Sequence, residues 1–213
     1  PAAPTLTNEV TTIAAFDPHV FISMTAGNPC LLAIQEVEAS GLLDRLSAAF
    51  TPSVCKGVAA YMAPAGMAAD GWWIVGGGVK DITDPQYIDE PFVEFIHETL
   101  RGGGLDPSIS MLGTGYYFAV PWTETLRIAD ELPGGMTRTN VILAARNLHI
   151  WHPLMMDGIT YALDGAADAY AIEGSDFSQF DAEAQTWNQI GDLVDANGGT
   201  PPCAWDKDNG GCR

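Results

Sequence analysis

Three short apolar runs, at residues 19–24, 46–51 and 72–75, restrict this chain to a small set of folds. Each is too short for a helix and is bounded by turn formers. Asp17-Pro18 precedes the first, and Thr25-Ala26-Gly27-Asn28-Pro29 follows it. Pro52-Ser53-Val54 follows the second, and Asp70-Gly71 introduces the third. Unbroken apolar runs of this length read as buried strands of a parallel sheet. Parallel neighbours need crossovers, and the intervening segments supply them. Pro29 suits the first turn of a helix over 30–40, and Gly41 suits its end. Residues 55–62 predict a second, shorter helix. An opening helix carries Leu6, Val10, Ile13 and Ala14 at helical spacing, with Thr5 or Thr7 as its cap and Asp17-Pro18 as its stop. The expectation is an α/β fold with a parallel sheet and flanking helices.

The alternation then lapses. Asp89 or Glu90 caps a helix with Pro91 near its first position, and Phe92, Phe95, Ile96 and Leu100 line one face. Gly102-Gly103-Gly104 ends it. A helix over 111–132 is expected to be disturbed at Pro121. Thr137 caps another, through about residue 148. The last third predicts strands at 159–163, 169–172 and 184–190, punctuated by glycine turns. Trp72 and Trp73 read as core.

Charge narrows the function. Among 213 residues, 27 acidic side chains face nine basic ones, a net charge of −18. Phosphate binding needs clustered Lys and Arg, so nucleic acid is excluded as a partner, and an anionic membrane surface is disfavoured. Only three lysines occur, Lys56, Lys80 and Lys207. The most apolar stretch, 57–79, is broken by Pro64, Asp70 and several glycines, which argues against a membrane span. No leader pattern opens the sequence, so any export signal is expected to have been removed or to lie outside this sequence. Four cysteines, Cys30, Cys55, Cys203 and Cys212, allow three pairings. Cys203 and Cys212 flank a turn-rich segment suited to a small closed loop, which would leave Cys30 with Cys55. An even count fits an oxidising compartment. The absence of Cys-x-x-Cys argues against zinc.

Several further pieces stand in a definite order. Phe16-Asp17-Pro18-His19-Val20 precedes the loop Thr25-Ala26-Gly27-Asn28, and Ala68-Ala69-Asp70-Gly71-Trp72 follows. Then come residues 84–95, Gly115-Tyr116, Leu126 and Thr137-Arg138-Thr139-Asn140. Asp164-Gly165 and Trp187-Asn188-Gln189-Ile190-Gly191 complete the order. Across nearly the whole chain this order resembles the second half of a type I periplasmic solute-binding protein, above all the branched-chain amino acid binding proteins of ABC transporters. The resemblance implies two α/β lobes that close on a ligand between them. Residues 1–78 would belong to the second lobe. Residues 79–150 would be helices crossing back to an absent first lobe, and 151–213 returning strands with a disulfide-closed tail. It implies that the missing N-terminal half covers apolar surface left open here. It also implies an extracytoplasmic location, periplasmic or as a cell-surface lipoprotein, with a small-molecule solute and an ABC permease as partners.

Ligands of parallel sheets sit outside the carboxyl ends of the strands. That singles out Thr25, Ala26, Gly27 and Asn28 after the first strand, and Ser53 and Val54 after the second. Both loops open helices and offer free N–H groups. Helix capping is the plainer role for Thr25, Asn28 and Ser53, and the resemblance favours ligand contact. Tyr116 and Tyr117 match an aromatic position that reaches the ligand cleft in the family. Cys30 and Cys55 begin the two helices after these loops, and a bridge there would stiffen the ligand-facing rim. The family usually places an acid or a Tyr on this lobe, near the ligand ammonium. Neither loop here holds a carboxylate, which argues against a free amino acid; the rim reads as neutral, and the resemblance implies a small organic solute, amino acid-like, an amide or an aromatic acid.

Other signals carry less. His149 and His152 lie three apart, but Pro153 follows and no third ligand is evident. Asp206-Lys207-Asp208-Asn209-Gly210 departs from a calcium loop at Gly210. Gly113-Thr114-Gly115 lacks a third glycine. No nucleophile elbow or phosphate loop occurs. No catalytic residue, metal or cofactor is therefore expected. A sensor domain of the same fold and a secreted α/β hydrolase are the alternative readings.

Overall fold

The structure, a computed structural model, describes residues 5–165, 167–199, 205, 206, 208 and 210–212, with backbone alone at 205, 206, 211 and 212. The opening helix α1 spans Thr7–Ala14, and β1 is Val20–Ile22. Helix α2, Asn28–Ala39, starts after Gly27 with Pro29 in its first turn. Gly41, at φ +67°, turns the chain away at its end. Cys30, Ala33, Ile34 and Val37 recur at helical spacing and form its buried face. Strands β2, Ala48–Pro52, and β3, Trp73–Val75, follow. β1 pairs with β2, and β2 with β3, all parallel.

Two strands beyond these complete the sheet. β4, Phe177–Asp181, lies antiparallel against β3, and β5, Thr186–Gln189, antiparallel against β4. The sheet is therefore mixed, in the order β1-β2-β3-β4-β5. Residues 177–181 were not expected to form a strand, because Phe-Ser-Gln-Phe-Asp carries little apolar weight. Its inward residues, Ser178 and Phe180, are fixed by β3 rather than by local preference.

A first core packs α2 on this sheet: Phe21, Ile34, Val37, Leu42, Trp72, Ile74, Phe180 and Trp187. Phe21 meets Trp72 edge-on, with ring centres 6.0 Å apart, and Phe180 lies 5.0 Å from Trp187. β1 departs from the fully buried strand expected. Phe21 is covered, but Val20 and Ile22 face outward. The expected helix over 55–62 is also replaced. A 3₁₀ turn, Ser53–Cys55, leads to a π-helical turn, Val58–Met62, and then to Ala63–Ala65. Val58 N–H donates to Asp81 (2.8 Å) and Ala59 N–H to Thr83 (3.1 Å), so side chains from beyond β3 set its start.

Helices α3, Pro91–Gly102, α4, Ser110–Glu131, and α5, Arg138–Arg146, follow without intervening strands. A second core gathers Ile82, Tyr87, Val93, Ile96, Leu100 and Leu154. The buried face of α3 is Val93, Ile96, His97 and Leu100. Phe95, expected inside, is 52% exposed. His97 accounts for the rotation, since its Nε2 lies 2.8 Å from the Ile82 carbonyl and draws that side inward. Thr137 caps α5 as expected, accepting from Asn140 N–H at 3.1 Å.

α4 runs unbroken through Pro121. Proline has no N–H, so the carbonyl four residues earlier, on Tyr117, loses its helical donor. His152 Nε2 lies 2.9 Å from that carbonyl and replaces it. Further on, Tyr161–Ala162 pairs with His149–Ile150, and Gly174–Ser175 with Val194–Asp195. No strand forms at 169–172. Trp205–Asp206 pairs with Gly211–Cys212, while the expected closure of Cys203 on Cys212 lies outside the described residues. Among the described residues no helix is long and apolar enough to cross a membrane.

Candidate functional site

The chain leaves the carboxyl end of β2 through Ser53–Cys55 and that of β3 through Gly76, Gly77 and Gly78. It then passes Val79 to Ile82 on its way to the second core. A cavity of about 290 Å³ lies between these segments and the first turns of α4. Ser53, Val54, Lys56 and Gly57 line it from the sheet side, Val79 to Ile82 from the crossing segment, and Met111, Tyr117 and Phe118 from α4. Gly76 and Gly78 are required by close approach, while Gly77 sits at φ +64°. A Cβ at Gly76 would collide with the Asp176 carboxylate, and one at Gly78 would fall 2.6 Å from Ile159.

Two buried carboxyl groups hold the walls. Asp176, 0% exposed, accepts from Lys56 Nζ (2.9 Å), Ser178 Oγ (2.6 Å) and Gly78 N–H (3.0 Å). It thereby joins the turn after β2, the crossing segment and β4. Burial alone would raise its pKa, but Lys56 and these donors outweigh burial and hold it below the usual carboxylate range. Asp81 accepts from Val58 N–H (2.8 Å), Thr83 Oγ1 (2.5 Å) and Ser110 Oγ (3.5 Å). Here burial wins and pushes the carboxyl up, against those hydrogen bonds. Lys80 Nζ donates to both oxygens of Glu90 (2.9 and 2.8 Å) and sits 5.6 Å from the centre of the Tyr87 ring.

Tyr117 lines the cavity, backed by His152, whose ring centre is 4.7 Å away. Tyr161 stacks 5.7 Å beyond. Burial, with a smaller contribution from Tyr161, pushes the Tyr117 phenol up to about 12. Leu154 N–H donates to His152 Nδ1 at 3.2 Å, so Nε2 carries the proton given to the Tyr117 carbonyl. Burial lowers the His152 pKa from its ordinary value near 6.5. As pH falls, the unfolded chain takes up this proton first, so stability is lost from about pH 6.5 downward, by at most about 1.4 kcal/mol per pH unit. His152→Phe is expected to flatten that slope in urea titrations at stepped pH. At neutral pH it should cost about 1–3 kcal/mol, because it orphans the Tyr117 carbonyl and the Leu154 N–H.

Of the residues singled out by sequence, Ser53, Val54 and Tyr117 border one cavity. Tyr116 lies elsewhere, in an open groove with Phe95, His149 and Trp151. Thr25, Ala26, Gly27 and Asn28 lie outside the cavity lining. Thr25 Oγ1 is 2.8 Å from Ser23 Oγ, and the Gly27 carbonyl accepts from Cys30 N–H at 2.9 Å. Cys30 and Cys55 form a disulfide with Cα atoms 5.6 Å apart, and Cys55 follows Val54 in the chain. His149 and His152 do not face each other as ligands, since both His152 nitrogens are engaged. Among the described residues no three His, Cys, Asp or Glu groups converge. The residues missed were Lys56, Lys80, Asp81, Met111 and Phe118. A signal was present for the first two: in a chain so poor in lysine, each follows the end of a parallel strand.

No family model matches the chain, and no curated protein does. Solved structures do match its fold. A branched-chain amino acid ABC transporter protein from Thermus thermophilus, with bound valine, superposes with a TM-score of 0.68 at 15% identity, over 89% of this chain and 49% of that one. A solute-binding protein of an ABC transporter from Rhodopseudomonas palustris, in complex with p-hydroxybenzoic acid, gives 0.67 at 12% identity, over 92% and 50%. A fatty acid ABC transporter substrate-binding protein from Thermomonospora curvata gives 0.66 at 13%, over 91% and 48%. The chain spans about half the length of these structures. The mixed sheet, its flanking helices and these superpositions together give the chain the fold of the type I periplasmic binding proteins.

Proposed function

We propose that the chain is part of the extracytoplasmic solute-binding component of an ABC uptake transporter, and that it holds a small organic solute without transforming it. Residues 1–78 would form part of the second α/β lobe, 79–150 the helices that cross back to the first lobe, and 151–213 the returning strands and tail. The carrying observation is the cavity at the carboxyl ends of β2 and β3, at the foot of a permissible small-molecule size. It is bordered by loops from the first core and a helix from the second. Solute or substrate binding in ABC transporters is what the fold neighbours' names describe for those proteins. The outward row Met111, Phe118, Trp122 and Leu126 along α4 supports a missing opposite wall, supplied by an N-terminal half of the same protein. A permease would then be the macromolecular partner.

Thermal unfolding of the purified chain, with and without panels of small acids, amides and amino acids, tests this. A true solute at 100 times its Kd should stabilise by about 2.7 kcal/mol. Tyr117→Ala should remove most of that shift while leaving the unliganded transition recognisable. Native mass spectrometry should show the same solute on the 22.6 kDa chain. Turnover of ester, amide or glycoside substrates would overturn the reading in favour of a hydrolase.

A further inference from the structure

A side chain outside the cavity lining ties two of its walls together. Lys80, on the crossing segment, donates its backbone N–H to the Leu154 carbonyl (2.9 Å), and Met156 N–H donates to the Gly78 carbonyl (2.8 Å). Residues 154–156 are thereby fixed to that wall. Leu154 N–H donates to His152 Nδ1 (3.2 Å), and His152 Nε2 donates to the Tyr117 carbonyl of α4 (2.9 Å). Leu154 and Tyr117 both line the cavity. The Tyr117 carbonyl is free to take this donor because Pro121 supplies none. A second tie, between Ser110 Oγ and Thr83 Oγ1 (2.8 Å), holds the first residue of α4 to the crossing segment.

The tie through His152 depends on protonation. The residue is 2% exposed, and both ring nitrogens are spent in the neutral form. A second ring proton would sit on Nδ1, donor against the Leu154 N–H donor. Cation–π attraction to Tyr117 and Tyr161 favours the charged ring, yet supplies no acceptor for that proton. These two are the titratable groups that face the ring, Tyr117 from α4 and Tyr161 from the strand pair, and burial keeps both phenols neutral in acid. His149, on the same segment, is exposed, and among the described residues no carboxylate bonds to the ring. Because residues 154–156 are fixed, the charged ring has to turn away, and turning withdraws Nε2–H from Tyr117.

Resting on the cavity as a solute site, we propose that His152 is a proton-operated latch on α4: neutral, it holds Tyr117 in the wall, and protonated, it lets Tyr117 go, so that solute affinity falls in acid. Burial delays the release to below the ordinary histidine range. In acid, solute binding accordingly expels the proton, and one proton changes affinity by at most about tenfold per pH unit.

Acidifying the ¹⁵N-labelled chain from neutral pH tests the latch without any solute. Long-range ¹H–¹⁵N spectra read the His152 ring, and amide spectra read Tyr117 and Leu154. Both amides should shift with the midpoint of the ring, below about pH 6.5, while those of β2 hold still. In His152→Gln, which keeps a donor and an acceptor but does not titrate, these shifts should vanish. Acetamide, benzamide and hexanamide, which carry no ionisable group of their own, are then titrated into both proteins above and below the ring midpoint. At least one should bind the parent less tightly in acid, by up to about tenfold per pH unit, and bind the variant equally at both. Asp81, which also titrates on this wall, is intact in both proteins and cannot produce the difference. Wall amides that stay still while the ring titrates would overturn the latch and leave the solute site standing, as would a ring that stays neutral until the whole chain unfolds. An amide that binds the parent equally at both pH values would overturn the link to affinity. If none of the three binds, the solute site falls, and the wall shifts alone decide the latch. Should His152→Gln fail to fold, as judged by circular dichroism, coincident midpoints in the parent decide the matter.

Discussion

Replacing Asp176 with alanine is expected to destabilise the fold by about 3–5 kcal/mol, among the largest effects of any single change in this chain. The carboxylate is fully buried, and its removal strands three donors at once: the Lys56 ammonium, the Ser178 hydroxyl and the Gly78 N–H. The ammonium dominates, because an unpaired buried charge keeps its whole desolvation cost. Lys56→Met combined with Asp176→Ala should therefore cost less than Asp176→Ala alone, and the double cost minus the two single costs is the coupling between the partners. Urea unfolding at neutral pH measures it. The pH dependence has a definite sign. The folded pKa of Asp176 lies below the ordinary value, so its contribution is present above the ordinary carboxylate range and is lost as pH falls through it. Asp176→Ala should flatten this acid limb. Equal unfolding midpoints for the parent and Asp176→Ala would show that the pair does not hold the fold.

Removing the disulfide by Cys30→Ala with Cys55→Ala is expected to cost about 3.5 kcal/mol, on the loop-entropy model for a bridge spanning 25 residues. The bridge joins the start of α2 to the turn that borders the cavity, so a second consequence is local. Ser53 and Val54 should become more mobile, visible as faster amide exchange there than in β2. Both sulfur-bearing residues are enclosed, at 1% and 0% exposure, so mild reductant should leave the folded chain oxidised and act only after unfolding. Denaturing mass spectrometry with and without reductant distinguishes the states. A variant as stable as the parent would mean that the bridge constrains little.

What the sequence revealed was punctuated by residues acting on their own neighbours. Pro29 and Gly41 bracket α2, Pro91 opens α3, and Thr137 caps α5, each by a local backbone preference. What it concealed depends on distant partners. β4 exists because Trp73 to Val75 offer it a ladder, about a hundred positions earlier in the chain. Lys56 is buried only because Asp176, 120 positions away, receives it. Pro121 looked like a break because nothing local reveals that His152 stands ready to serve the Tyr117 carbonyl. The loops after β1 and β2 looked equivalent, yet only the second borders the cavity, where the crossing segment and α4 meet it.

The pairing of β3 with β4 also sets the order of events during synthesis. Phe180 N–H donates to the Trp72 carbonyl, and Trp187 Nε1 donates to the Lys56 carbonyl across a separation of 131 residues. The first core thus contains β1 to β3 yet lacks Phe180 and Trp187 until about a hundred further residues have been made. From Val75 to Trp187 is 112 residues, so at about 5–20 residues per second that interval is roughly 6–22 s. Throughout it the nascent chain exposes Trp72, Ile74 and the β3 edge, a form prone to self-association if completion is delayed.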